Sequence, residues 1–176
     1  MKHAFLLSSV YELPVGKGKR YLTSGFASYV LGNWEWSNIL GLYGGQPVAV
    51  TLGFDNASLG STGGQRPDLV GNPVSGDPTR LRWFNTSAFA RPAQFKFGNA
   101  GRNLLRGPDL KNYDTALMKN FILHEQKTLQ FRTEFFNAFN LVNFGQPNAN
   151  FSSQDFGVIL SARASRSIQM SLKLSF

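Results

Sequence analysis

The side chains best able to bind a ligand are basic and lie together in one stretch of the chain. Between positions 80 and 111 there are seven basic residues and one acid, Asp109, a charge of +6 within a chain of net charge +8. The seven are Arg80, Arg82, Arg91, Lys96, Arg102, Arg106 and Lys111. Because guanidinium and ammonium groups attract phosphates, the stretch suits nucleic acid, lipopolysaccharide or another anionic ligand. A solvated loop has the same composition, and the sequence leaves both interpretations open.

The other polar residues form no catalytic or metal-binding pattern. His3 and His124 have no partners at the spacing that metal binding or acid–base catalysis requires. The Gly-rich run 98–103 lacks the ending of a phosphate-binding loop, and the chain contains no cysteine. Arg132 and Glu134 lie two positions apart, so they share the polar face of a strand and suit a charge ladder. We expect a protein that is not an enzyme and that has no cofactor or metal site.

Alternating side chains define the last segment of the chain. Apolar residues occupy every second position, at Ile168, Met170, Leu172, Leu174 and Phe176, and polar residues stand between them. Side chains of a strand point alternately to its two faces, so this strand has one apolar and one polar face. A half-buried strand of a soluble sandwich shows this pattern, as does a strand of about ten residues in a transmembrane β-barrel wall. The pattern recurs elsewhere in the chain, which favours the barrel.

The same period predicts an all-β fold of about five antiparallel, up-and-down strands. Their expected ranges are about 3–13, 29–43, 112–121, 127–139 and 165–176, with long loops at 44–111 and 140–164. Trp34 and Trp36 in the second strand suit an aromatic girdle at a membrane interface. If the last strand ends in the periplasm, both long loops lie outside the cell and the connections 14–27 and 122–126 lie on the periplasmic side. This asymmetry is typical of outer-membrane barrels.

Composition and strand number add two expectations. Only 16% of the residues are charged, against roughly 25% in soluble domains, and no apolar run reaches the roughly 18 residues of a membrane helix. The first ten residues lack a cleavage site, so we interpret them as a strand rather than a signal peptide and expect the chain to be a fragment. Five strands do not close a bacterial barrel, which has an even number from about eight upward, so the wall needs further strands.

Sequence motifs follow one another along nearly the whole chain. They occupy residues 11–19, 34–42, 97–103, 106–108, 112–114, 119–121, 130–140, 143–145, 161–163 and 172–176. In this order they resemble the carboxyl-terminal barrel of TonB-dependent outer-membrane receptors, specifically the Oar-like type. The run 134–140, with the sequence Glu-Phe-Phe-Asn-Ala-Phe-Asn, is the most specific of them.

The resemblance implies a barrel of about 22 strands closed around an amino-terminal plug, which imports a substrate with energy relayed by TonB. It implies the outer membrane of a Gram-negative type envelope, with lipid and lipopolysaccharide around the barrel. It also implies that the barrel-assembly machinery recognises the terminal strand and Phe176. This chain lacks the plug and most strands, so the expected partners are the missing parts of a parent receptor, with TonB acting only through the absent plug.

Two functions follow as hypotheses. The first is a structural wall segment of a TonB-dependent transporter for active uptake, which is not transport-competent alone and binds no nucleic acid. The alternative is a soluble extracellular β-sandwich that binds carbohydrate or polyanions through its basic loop.

Overall fold

A computed structural model describes residues 2–124 and 127–176, and of His124 the backbone alone. The elements in chain order are β1 (Ala4–Glu12), α1 (Gly25–Leu31), β2 (Trp34–Tyr43), β3 (Pro47–Val48), β4 (Asp68–Leu69), a 3-10 helix (Thr86–Ala88), β5 (Phe89–Ala90), β6 (Leu105–Arg106), β7 (Leu110–His124), β8 (Lys127–Phe136) and β9 (Ser167–Ser175).

The five long strands form one sheet in the order β1-β2-β7-β8-β9, in which each long strand pairs with the next one in the sequence. The pairs β7–β8 and β8–β9 are antiparallel. The pair β1–β2 is antiparallel too, since the Leu13 N–H donates to the Trp34 carbonyl and the Gly44 N–H to the His3 carbonyl, both at 2.9 Å. The predicted all-β fold with antiparallel strands is confirmed.

The chain divides into two compact units. The first, which we call the sheet unit, comprises Ala4–Leu42, Lys111–Val142 and Ala164–Phe176, and the second, the loop unit, comprises Met1–His3, Tyr43–Leu110 and Asn143–Arg163. In the sheet unit the two edge strands, β1 and β9, are exposed along their whole length. The two long connections, from β2 to β7 and from β8 to β9, join strand ends at one end of the sheet. The short connection from β7 to β8, between His124 and Lys127, lies at the other end.

The prediction that the second strand begins at residue 29 is wrong. Residues Gly25–Leu31 form the helix α1, which ends at Gly32, and Asn33 adopts a left-handed φ of +58° before β2 begins. The apolar run Tyr29–Leu31 has the composition of a strand, but the carbonyl groups of Tyr29 and Val30 accept hydrogen bonds from a side chain of β7, described below. Tertiary contacts therefore override local propensity here.

The predicted fourth strand also extends too far, because β8 ends at Phe136 rather than at residue 139. Asn137 and Asn140 have φ values of +50° and +51°, a left-handed conformation that Asn tolerates better than most residues. The buried Asn137 amide accepts a hydrogen bond from the Leu141 N–H and donates one to its carbonyl, both at 2.9 Å. The most specific motif of the sequence is thus a strand followed by an asparagine turn.

The strand β7 is longer than predicted and includes His124, which we expected in a turn; Glu125 and Gln126 of that turn lie outside the described residues. The predicted loops 44–111 and 140–164 are not merely irregular, because they form the loop unit with a hydrophobic core. That core is made of Val48, Val50, Phe84, Ala88, Phe89, Ala100 and Leu105, with Phe151 and Phe156 packed against it. Burial of scattered apolar residues orders a stretch that has no two- or four-residue period.

Candidate functional site

The two faces of the sheet differ in chemistry, and the strand register fixes which residues share a face. Cross-strand partners lie on the same side of a sheet. Between β8 and β9, Phe135 is opposite Ile168 and Phe131 is opposite Leu172. Between β8 and β7, Phe131 is opposite Lys119. We call this side the apolar face. In the sequence register it carries Tyr113, Thr115, Leu117, Lys119 and Phe121 of β7, Leu129, Phe131, Thr133 and Phe135 of β8, and Ile168, Met170, Leu172 and Leu174 of β9.

Side-chain contacts place β2 and β1 in the same arrangement. The Trp36 indole donates to the Thr115 hydroxyl at 2.7 Å, and the Trp34 ring meets Phe131 edge to face at 6.5 Å. Both tryptophans therefore lie on the apolar face. Asn38, two positions on, accepts a hydrogen bond from Tyr113 and donates one to Ser9 of β1, so the odd-numbered residues of β1 share this face.

The apolar face is open along the edge strands β1 and β9. On β8 it is partly covered, because Phe131 and Phe135 are half-buried and Thr133 is buried. Met170 is 68% exposed, and the other apolar residues of β9 are exposed as well. Apolar area in contact with water is unfavourable by about 25 cal/mol per Å², and soluble monomers rarely expose patches this extensive. A hydrocarbon solvent removes this penalty, so the face suits the interior of a bilayer.

Aromatic residues mark the two ends of this apolar band. Trp34 and Phe121 lie towards the end where β7 meets β8, and the Tyr113 ring stacks on Phe139 at 5.0 Å towards the other end. Eight residues separate Tyr113 from Phe121, which is about 27 Å along a strand and about 21 Å along the normal for a strand tilted by about 40°. The band therefore approaches the apolar height of roughly 25 Å in outer-membrane barrels.

The opposite side, the polar face, is held by polar pairs. Arg132 and Glu134 form an ion pair through Nη2 and Oε1, as the predicted sharing of a polar face permits. The Gln130 amide donates to Asn120 of the neighbouring strand at 3.0 Å. Polar residues of β9 lie opposite them, with Gln169 beside Glu134 and Ser171 beside Arg132. Such a face suits a water-filled or protein-filled lumen.

Lys119 is a residue whose role the sequence analysis missed. It lies on the apolar face yet is only 2% exposed. Its ammonium group donates to the carbonyl oxygens of Tyr29, Val30 and Gly32 at 2.9, 2.6 and 2.7 Å, and it lies 5.3 Å from the Trp34 ring centroid. Carbonyl groups at a helix C-terminus lack intrahelical partners and carry partial negative charge, so a lysine there satisfies both needs. The signal was present: a lysine interrupts an otherwise uncharged series at alternate positions, 113 to 121.

The predicted basic residues are all on the surface. Arg80, Arg82, Arg91, Lys96, Arg102 and Arg106 belong to the loop unit, and Lys111 is in β7. Arg80 and Arg82 lie on a tight turn in which Thr79 and Arg82 exchange backbone hydrogen bonds. Arg91 instead covers the ring of Phe54, with 4.6 Å between its guanidinium carbon and the ring centroid. Their role as anion contacts stays a prediction.

The Gly-rich run 98–103 has a structural role. The Asn99 N–H donates to Asp68 Oδ1 at 2.9 Å, and the Asn99 side chain accepts from the Leu69 N–H at 2.7 Å. A Cβ on Gly98 would lie 2.2 Å from the carbonyl oxygen of Arg66, so only glycine fits. The run therefore docks against β4.

The predicted histidine and terminal positions lie beside or within the strands of the large sheet. His3 is an exposed residue just before β1, and the side chain of His124 lies outside the described residues. The terminal Phe176 follows β9 and is almost fully exposed. Its position in the alternation predicts that it continues the apolar face of β9.

A polar cluster orders one exposed loop of the loop unit. The buried Gln65 amide donates to Asp55 Oδ1 at 2.6 Å and accepts from the Asn56 N–H at 2.9 Å. The Gln65 side chain, followed by the Leu59 N–H, holds the pKa of the Asp55 carboxyl below its usual 3.8. These bonds shape residues 55–65.

No group of three or more histidine, cysteine and acidic residues is close enough to hold a metal ion within residues 2–124 and 127–176. In the same part of the chain no helix is both long and apolar enough to cross a membrane.

An antiparallel up-and-down sheet with an open apolar face between aromatic ends and a paired polar face is the wall of a membrane β-barrel. The comparison with known families agrees, because a model described as an outer membrane beta barrel domain matches residues 1–169. The chain belongs to this family and is an outer-membrane protein. No curated protein and no solved structure matches it.

Proposed function

We propose that the chain is a wall segment of an outer-membrane TonB-dependent receptor that takes up a substrate actively, and that it has no enzymatic activity. The observation that carries the proposal is the single sheet with two chemically distinct faces and two exposed edge strands. The receptor type is supported by the resemblance of the motifs described above. Its most specific part is the run 134–140.

The exposed edges support a larger barrel. A strand in lipid needs a hydrogen-bonded neighbour on each side, because unpaired backbone groups cost several kcal/mol in hydrocarbon. The described part of β1 and β9 has such a neighbour on one side only. Further strands, from a longer chain of the receptor type with about 22 strands, would complete the wall. The segment alone would not transport.

The connection lengths support an orientation. The β7–β8 connection is short, and both connections that build the loop unit are long. In outer-membrane barrels short turns face the periplasm and long loops face outward. We therefore place the loop unit outside, where its exposed arginines and lysines would contact lipopolysaccharide phosphates.

The test uses the complete gene product, folded in detergent. A closed barrel resists sodium dodecyl sulfate until it is boiled, so unheated protein should migrate faster than boiled protein. The purified periplasmic domain of TonB should then bind the folded protein in a titration. Unchanged migration on boiling would refute the barrel. A heat-modifiable protein that does not bind TonB would refute the receptor type while leaving the barrel intact.

A further inference from the structure

The helix α1 lies on the apolar face of the sheet. Lys119 projects from that face, between Leu117 and Phe121 in the alternation, and binds three carbonyl groups at the C-terminal end of α1. The Tyr29 ring of α1 packs against Phe121 at 5.7 Å between centroids. Both contacts are made near the end where β7 and β8 meet. The helix is therefore attached to the surface that faces lipid, rather than to the polar face.

The outer side of α1 is apolar and uncovered. Phe26 is 83% exposed and Leu31 is 52% exposed, and Tyr29 and Val30 are exposed as well. The only buried residue of the helix is Ser28. In water this arrangement would expose four large apolar side chains on two turns of helix, which is unfavourable.

The segment that leads into α1 is basic. Residues 13–33 contain Lys17, Lys19 and Arg20 and no acidic residue, a charge of +3. Lys19 pairs with Glu12, which the alternation of β1 places on the polar face, and so leaves the lipid side. Lys17 and Arg20 are exposed, and Arg20 lies over the Tyr21 ring. Basic and aromatic side chains beside an apolar helix are typical of segments that lie in the headgroup region of a membrane.

We propose that α1 and the preceding segment 17–22 form an interfacial anchor that binds anionic phospholipid at the rim of the barrel wall. The apolar side of α1 enters the acyl boundary, and Lys17 and Arg20 contact phosphate groups. Lys119 holds the anchor against the wall by neutralising the carbonyl groups at its end. In the orientation proposed above this rim is the periplasmic one. The inference rests on the proposed function, because it requires that the apolar face contacts lipid.

The test measures the depth of single fluorescent labels in vesicles. Labels are attached to Phe26→Cys, Met170→Cys or Ser171→Cys of the full-length protein in a background without other cysteines. The vesicles contain phosphatidylcholine and phosphatidylglycerol, with nitroxides at the headgroup or deep in the acyl chain. We expect headgroup nitroxides to quench position 26 most, and deep nitroxides to quench position 170 most. The label at position 171, on the polar face, should keep its fluorescence.

The outcomes separate the anchor from the barrel. An unquenched label at position 26 with a quenched label at 170 would overturn the anchor and leave the proposed function standing. An unquenched label at 170 would overturn the assignment of the apolar face itself. The headgroup part is tested by combining Lys17→Gln with Arg20→Gln, which should reduce quenching at position 26 only when phosphatidylglycerol is present. Equal quenching with and without phosphatidylglycerol would overturn anionic lipid as the partner.

The role of Lys119 is tested by substitutions that differ in charge. Lys119→Met should reduce headgroup quenching at position 26 and leave position 170 unchanged, whereas Lys119→Arg should preserve both. Lys173→Met, which removes a lysine from the polar face, is the matched control and should change neither. If Lys119→Met prevents assembly, the labels and the Lys17 and Arg20 variants still decide the proposal. Unchanged quenching in an assembled Lys119→Met variant would overturn the role of Lys119.

Discussion

A charge introduced along β9 should reveal which face contacts lipid and at what depth. The register places Met170 in one row with Thr133 and Leu117. Leu117 is midway between Tyr113 and Phe121, the aromatic residues near the two ends of the apolar band. Met170 therefore lies near the middle of the membrane. We expect Met170→Arg to lower the free energy of unfolding by about 2–4 kcal/mol, the cost of a basic residue at the bilayer midplane.

The cost should decrease towards the rim. Leu174 is opposite Leu129, in the same row as Phe121, and four residues from Met170 along a tilted strand correspond to about 10 Å of depth. Leu174→Arg should therefore cost only about 0–1 kcal/mol. Gln169→Arg is the matched control, because Gln169 is adjacent in sequence, lies on the polar face and is opposite Glu134. Its effect should stay within about 0.5 kcal/mol.

The assay is equilibrium unfolding of the full-length protein in phosphatidylcholine vesicles with guanidinium chloride, followed by tryptophan fluorescence. Each variant is compared with the parent protein at the same lipid ratio. Equal costs for Met170→Arg and Gln169→Arg would refute the assignment of the two faces. Equal costs for Met170→Arg and Leu174→Arg would show that the band does not cross the membrane as its aromatic ends indicate.

Four further predictions concern the terminus and the loop unit. Deletion of Phe176 should lower the amount of assembled protein in the outer membrane at equal synthesis, while Phe176→Tyr should not; equal amounts of the deletion and the parent would contradict an assembly role. Phe84→Ala should destabilise the loop unit by about 3–5 kcal/mol, because the ring is 1% exposed, and limited proteolysis at unchanged rate would show that the core does not depend on it. Hydrogen bonds lower the pKa of Asp55 in the folded state below its usual 3.8, so its stabilising contribution is complete above that pH and is lost as the pH falls through the lower folded-state pKa. Pepsin cleavage of the loop unit measured between about pH 4 and 2 should therefore rise steeply in the parent and less steeply in Asp55→Asn; identical profiles would exclude this contribution. Replacing Arg80 and Arg82 together by serine should weaken binding to lipopolysaccharide and its salt dependence, and an unchanged binding curve would remove these residues from the anion contact.

The sheet was predictable because a two-residue period is a local signal. The alternate spacing predicts which face of the sheet carries Leu129, Phe131 and Leu172. The register in the structure brings these three residues to one side. The position of Lys119 on that side could also be derived from spacing. Its partners could not, since the carbonyl groups it binds are as many as 90 positions away in the sequence.

The loop unit was not predictable for a related reason. Phe84, Phe89, Phe151 and Phe156 form one cluster of rings, with centroids between 5.1 and 6.0 Å apart for the contacting pairs. In the sequence they lie in two separate stretches, 84–89 and 151–156, more than 60 positions apart. Nothing in their spacing indicates that they meet, because their association is set by the long-range path of the chain.

The core shared by the two long insertions has a consequence for how this part of the molecule can change. The Thr51 N–H donates to the Ala149 carbonyl, and the Phe151 N–H donates to the Thr51 carbonyl, both at 2.9 Å. A graft that exchanged residues 43–110 alone would leave Phe151 and Phe156 without the partners that bury them. Transfer to another scaffold would need both insertions at once, and natural variation in one should select compensating variation in the other. A change in ligand binding by the loop unit would then require coordinated changes in both long connections.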